Sequence, residues 1–130
     1  MSTPIVQIQV QRAPGDCAIA ALSMYLGVPY EDVLGAAVQQ TKRRRVHHVG
    51  MYTRDIKATA KRLGVRLHLR RAVDLEVDEG VLAVQDDVQE HAVLLKAGLI
   101  FDGDGLVWEP SVFMAHYHYR PMSLLVTADE

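Results

Sequence analysis

A second cysteine is missing from this 130-residue sequence, so Cys17 cannot enter an internal disulfide. Long apolar runs are missing too. The longest, CAIAALSMYLGV, falls well short of the ~20 residues that a membrane helix needs, and no membrane partner is expected. Neither sign of charge dominates: 14 Lys and Arg against 16 Asp and Glu leave a formal net charge of −2. A field that weak gives a nucleic-acid partner little to bind. The opening MSTPIVQIQVQR has neither a basic n-region nor a continuous apolar h-region. Together with the unpaired thiol, it points to a reducing cytoplasm. What is present, 49% hydrophobic and 23% charged residues, suits one folded domain over residues 1–130 with a single core.

Hydrophobic periodicity divides the chain into a helical first half and a strand-rich second half. PIVQIQVQ sets Val6, Ile8 and Val10 against Gln7, Gln9 and Gln11, the alternation of a half-buried strand. RAPGD is a turn, with Asp16 a favoured helix N-cap. A helix is predicted from Cys17 to about Leu26, apolar on nearly every side and therefore central. Gly27 stops it, and PYEDVLGAAVQQ forms the second arm of a helical hairpin. TKRRRVHHVG reads as a loop and MYTRDIKATAKRLG as a third, amphipathic helix closed by Gly64. After Gly64 the period becomes two. VRLHLR and GVLAVQ are strands, HAVLLKAGLIFD is a hairpin turning at Ala97-Gly98, and AHYHYR and MSLLVT complete the sheet. The expected class is α+β, with N-terminal helices packed on a C-terminal antiparallel sheet.

Cysteine-based acyl transfer needs a thiolate, a base, an orienting partner for the base and donors for the oxyanion. Cys17 sits in the first turn of a helix, where the dipole and free N–H groups favour a thiolate. The adjacent Asp16 opposes this unless its carboxylate is occupied as a cap. His91 opens an apolar strand, at an edge from which an imidazole can reach another layer. With a turn at Ala97-Gly98, Lys96 faces Leu99, Val93 faces Asp102 and His91 faces Asp104. Both aspartates then project on the side of His91, Asp104 directly opposite and Asp102 diagonal to it. Gln11, six residues before Cys17, can fold across the helix start and offer an amide N–H beside the Cys17 backbone N–H.

Gln11 with GDCAIAAL resembles the Q-x5-C segment of the C39 peptidases, papain-like cysteine peptidases best known as leader-processing domains of bacteriocin exporters. HAVLL followed by LIFD is similar to their His and acid strands, and GVPYEDVL and VGMYTRDIKATAKRLGV to their second- and third-helix segments. The likeness runs from Val10 to about Pro110. It implies a papain-like fold in which Cys17 is nucleophile, His91 base, Asp102 the orienting acid and Gln11 the oxyanion donor. Two positions depart from the family: Ala18 stands where Gly is common, and Gly103 follows the acid where Pro is usual. The resemblance favours Asp102 and the simple hairpin register Asp104; a slip of one or two residues in the turn would reconcile them.

Blander readings compete with each of these residues. A lone cysteine is more often a small core residue, and a histidine on a half-buried strand is usually a hydrogen-bonded surface group. The combination of Gln11, Cys17 and His91 favours chemistry. His47-His48, and His116 with His118 on one strand face, do not amount to a zinc site. KRRR at 42–45 is most often a solvated run, or else a patch for an acidic peptide or a nucleic-acid backbone. Tyr117 and Tyr119 are packing residues. The expected function is a cysteine peptidase acting on a peptide or protein substrate, with no metal or organic cofactor. Its alternatives are a non-catalytic binding or structural module and a deamidase or acyltransferase with the same triad. Nothing in the sequence defines an oligomeric state.

Overall fold

The computed structural model describes residues 6–127. The first half is helical: α1 spans Cys17–Leu26, α2 Tyr30–Thr41, α3 Val46–Val49 and α4 Thr53–Arg62. The second half holds β1 (Leu67–Arg70), β2 (Gly80–Gln85), β3 (Glu90–Lys96), β4 (Leu99–Phe101), β5 (Val107–Trp108), α5 (Pro110–Tyr117) and β6 (Arg120–Thr127). The strands form one antiparallel sheet in the order β1-β6-β2-β3-β4-β5. No helix among the described residues is long and apolar enough to cross a membrane.

The sheet is buried on both faces because its central strands carry apolar residues at successive positions rather than alternate ones. On β2, Val81 joins the cluster of Ala18, Ile19, Leu22, Val33 and Ala60 under the helices, whereas Leu82 and Val84 join Val93, Ile100 and Phe113 on the opposite face. Helix α1 is sealed in the first cluster; of its ten residues, the seven from Ala18 to Met24 are buried. Such a helix cannot shift without opening the core. Its first residue, Cys17, is therefore held in a fixed place relative to β3.

Three sequence expectations fail locally. PIVQIQVQ, of which Pro4 and Ile5 lie outside the described residues, makes no strand between Val6 and Gln11. Its alternation lacks a partner strand: Val6 packs against the Met24, Leu94 and Phe101 cluster, but Ile8 and Val10 remain 45% and 53% exposed. The 41–50 stretch is no simple loop. The wholly buried Val46 anchors the short α3, whose turn closes through Gly50 N–H donating to the Val46 carbonyl at 2.8 Å. The first half of AHYHYR is helix, since Pro110 opens α5 and buried Phe113 docks it on the sheet, and only Arg120 at its end is strand. His118 ends that helix at φ 58°, so the apparent alternation of Tyr117 and Tyr119 straddles a helix terminus. His116 and His118 consequently share no strand face. Tyr117 and Tyr119 do pack against the sheet, with Phe113 and Trp108 around them.

The hairpin turns at Ala97-Gly98 as expected, with Lys96 opposite Leu99. Both turn residues have positive φ, 54° at Ala97 and 73° at Gly98, the mirror-image turn that matches strand twist. An alanine in that region costs roughly 1–2 kcal/mol, whereas Asn adopts it more readily. Ala97→Asn should therefore raise stability by about 0.5–1 kcal/mol, read from urea unfolding midpoints; no gain would mean that the turn relaxes without strain.

Candidate active site

The Pro14-Gly15 turn delivers the chain to the start of α1 and is clamped against α3. Gly15 N–H donates to the His47 carbonyl at 2.9 Å, and a Cβ at position 15 would lie 2.6 Å from the His48 carbonyl carbon. Only glycine permits that approach. It makes the α3 segment one wall of a cleft of roughly 630 Å³ lined by Gln11, Cys17, Ala18, Met51, His91 and Tyr119, among others.

Cys17 is half-buried at this cleft. His91, at the start of β3, turns its Nε2 to Asp102 Oδ1 at 2.7 Å. An ionised carboxylate only accepts, so Nε2 carries the proton and Nδ1 is the ring nitrogen left for the thiol. The same Asp102 oxygen accepts the Gly103 backbone N–H at 2.8 Å, and the Tyr119 ring stacks on His91 with 5.9 Å between centroids. The imidazole is thus fixed from two sides.

Burial raises the Cys17 thiol, but His91 and then the backbone of Ala92 and Ala18 outweigh it, and the thiol lies below its ordinary value. Burial likewise lowers His91, and Asp102 and Cys17 overcome it, raising the imidazole to about 10. Each group favours the charged form of the other, which is the signature of a thiolate–imidazolium pair.

Asp102 meets His91, and Asp104 does not. No slip of register is involved. The β3–β4 ladder runs through Leu94 opposite Phe101 and stops, because Asp102 N–H turns to the Leu106 carbonyl at 3.1 Å. Asp104 is thereby carried into solvent, where its carboxylate accepts the Leu106 N–H at 2.8 Å. The diagonal position reaches the ring.

Gln11 crosses the helix start. Its backbone N–H donates to the Gly103 carbonyl at 2.8 Å, and its Nε2 donates to Asp16 Oδ1 at 3.1 Å. Since Asp16 only accepts, the amide orientation is fixed: nitrogen toward Asp16, with a second N–H remaining on that nitrogen. Asp16 occupies the N-cap position, yet its side chain does not cap α1. Wholly buried, it accepts instead from Gln11, from Arg12 N–H at 2.8 Å and from the Tyr30 hydroxyl at 2.6 Å. Burial and this bond to Asp16 hold the Tyr30 hydroxyl well above its usual range, so it stays a donor.

Tyr30, Tyr119 and Gly103 are the site residues that sequence reasoning missed. Gly103 alone carried a signal, as the residue that follows the expected acid; a Cβ there would overlap the Gln11 side chain. Among the described residues, no cluster of three His, Cys, Asp or Glu side chains is placed to hold a metal. Comparison with protein families, curated proteins and solved structures found no match to this chain.

A thiol below its ordinary value stays ionised at lower pH, and an imidazole raised to about 10 stays protonated up to that pH. Alkylation of Cys17 by iodoacetamide should accordingly persist at pH 6, where a thiol of pKa ~8.5 has become almost inert. In Asp102→Asn the imidazolium should deprotonate at lower pH, visible as an upfield shift of the His91 resonance. A rate falling tenfold per pH unit from pH 8 to 6 would deny the ion pair. Asp16→Ala, which strands a buried hydroxyl and a peptide N–H, should cost about 2–4 kcal/mol in urea unfolding; a loss under 1 kcal/mol would show that water replaces the carboxylate.

Proposed function

We propose that the protein is a cysteine peptidase with a papain-like arrangement, similar to the C39 peptidases. The observation that carries this reading is the convergence of Cys17 and His91 on one open cleft, with His91 bonded at 2.7 Å to the buried Asp102 behind it and the thiol and imidazole favouring each other's ionised forms. Gln11 borders the same cleft and supports the reading as oxyanion donor.

In this reaction the Cys17 thiolate attacks the scissile carbonyl carbon, and the carbonyl electron pair moves onto oxygen. The free N–H of Gln11 and the Cys17 backbone N–H receive that oxyanion. Protonated His91 gives its Nδ1 proton to the departing amine as the C–N bond breaks, leaving a thioester. Neutral His91 then takes a proton from water, whose oxygen attacks the thioester and releases the acid product and the thiolate. Asp102 keeps the ring in the required orientation and stabilises its charged form. No metal or organic cofactor enters the sequence.

The test is turnover of a mixture of unstructured peptides, with products read by mass spectrometry. New peptide termini are expected from the wild type and none from Cys17→Ala. Gln11→Ala should lower kcat by roughly 10²-fold with little change in KM. A mass increase of one unit on intact Gln or Asn peptides would instead reveal a deamidase. No product of either kind, from protein whose Cys17 alkylates like an ordinary thiol, would leave a non-catalytic module.

A further inference from the structure

The α3 wall of the cleft carries charge that the proposed catalysis does not use. Lys42, Arg43, Arg44 and Arg45 are all exposed, and among the described residues none of them is in an ion pair. They follow the C-terminus of α2, whose dipole amounts to about half an elementary charge, far too little to neutralise four cations. The net charge of the chain is −2, so this run is a local feature and not a sample of a basic surface.

The run is also continuous with the site. Arg43 lines the cleft together with Val49, Met51 and Tyr52, and the clamp from Gly15 to His47 holds this segment beside Cys17. Val49 and Tyr52 are each 66% exposed, and the Arg54 guanidinium lies 5.6 Å from the Tyr52 ring centroid. The wall is therefore apolar at its centre and cationic at its rim. The opposite wall includes Glu90, with the exposed Asp87 on the preceding turn.

We infer that the 42–54 wall receives acidic side chains, so that the preferred substrates are peptides with Asp or Glu interspersed with apolar residues on the side of the scissile bond that runs along it. This rests on the peptidase reading and adds the substrate class. A nucleic-acid strand carries uniform negative charge and would press phosphates against the Glu90 wall; a peptide places its carboxylates on one side only. Charge pairing at the cleft rim acts within a Debye length of about 8–10 Å and weakens with salt.

Fluorescein-labelled 12-residue peptides with four Glu, four Gln or four Lys in a common Leu/Ala/Gly frame test this by anisotropy with the full chain. The Glu peptide should bind at least tenfold tighter than the Gln peptide and the Lys peptide weakest, the Glu advantage shrinking at least threefold between 50 and 300 mM NaCl. Arg43→Glu with Arg45→Glu should abolish the Glu advantage, and Arg43→Gln should reduce it. Should the double variant fail to fold, the charge order and salt dependence of the wild type still decide. Equal binding of the three peptides, or a 12-nucleotide DNA strand binding more tightly than the Glu peptide, would overturn the inference. Iodoacetamide reactivity of the wild type separates the two claims: an activated Cys17 with no charge preference refutes the substrate class alone, whereas an unactivated Cys17 refutes the peptidase reading whatever the peptides do.

Discussion

The site depends on a buried carboxylate that takes no part in the chemistry. Asp16 stands beside Cys17 in the chain, is wholly buried, and accepts hydrogen bonds from Gln11, Arg12 and Tyr30. A buried charge is tolerable only when its lone pairs are satisfied, so the three donors must converge before α1 can start where it does. Tyr30 comes from the first turn of α2, and Arg12 sits over its ring with 4.2 Å to the centroid while pairing with Glu31 at 2.5 Å. The helical hairpin, the incoming strap and the thiol are thereby tied at one point.

The same knot bears on an apparent electrostatic conflict. A carboxylate next to a cysteine should resist thiolate formation, and capping α1 would be the obvious way to occupy it. The side chain does something else: it turns back to the strap, where it accepts from the Gln11 amide and the Arg12 backbone N–H. The thiol faces His91 and the backbone of Ala92 and Ala18, whose combined pull exceeds the burial penalty. The two charges divide the helix start between them.

How much of this was legible follows from the range of each interaction. Helix α1, its glycine stop and the Ala97-Gly98 hairpin are written in local periodicity and turn chemistry. The Lys96–Leu99 register then brought both aspartates within reach of His91 with no tertiary knowledge. What chose between them was a turn that carries no periodicity: the Asp102 N–H leaves the ladder for Leu106, four residues on, and that exit decides which carboxylate stays inside. The Val6–Gln11 alternation misled because a period-two pattern specifies a strand only if a neighbouring edge is free to pair with it. Here the segment spends its backbone contact on Gly103 instead.

That contact joins the two halves of the site. Gln11 N–H binds the Gly103 carbonyl, Gly103 N–H binds Asp102, and Asp102 binds His91, while the Gln11 amide binds Asp16. One continuous chain of hydrogen bonds thus runs from the imidazole to the buried carboxylate behind the thiol. A Cβ at position 103 would lie 2.2 Å from Gln11 Oε1, so any larger residue there displaces the Gln11 side chain from this chain of bonds. A proline there would also lack the N–H that Asp102 accepts. Glycine at position 103 therefore keeps both links intact and lets Gln11 lie between the acid loop and the helix start.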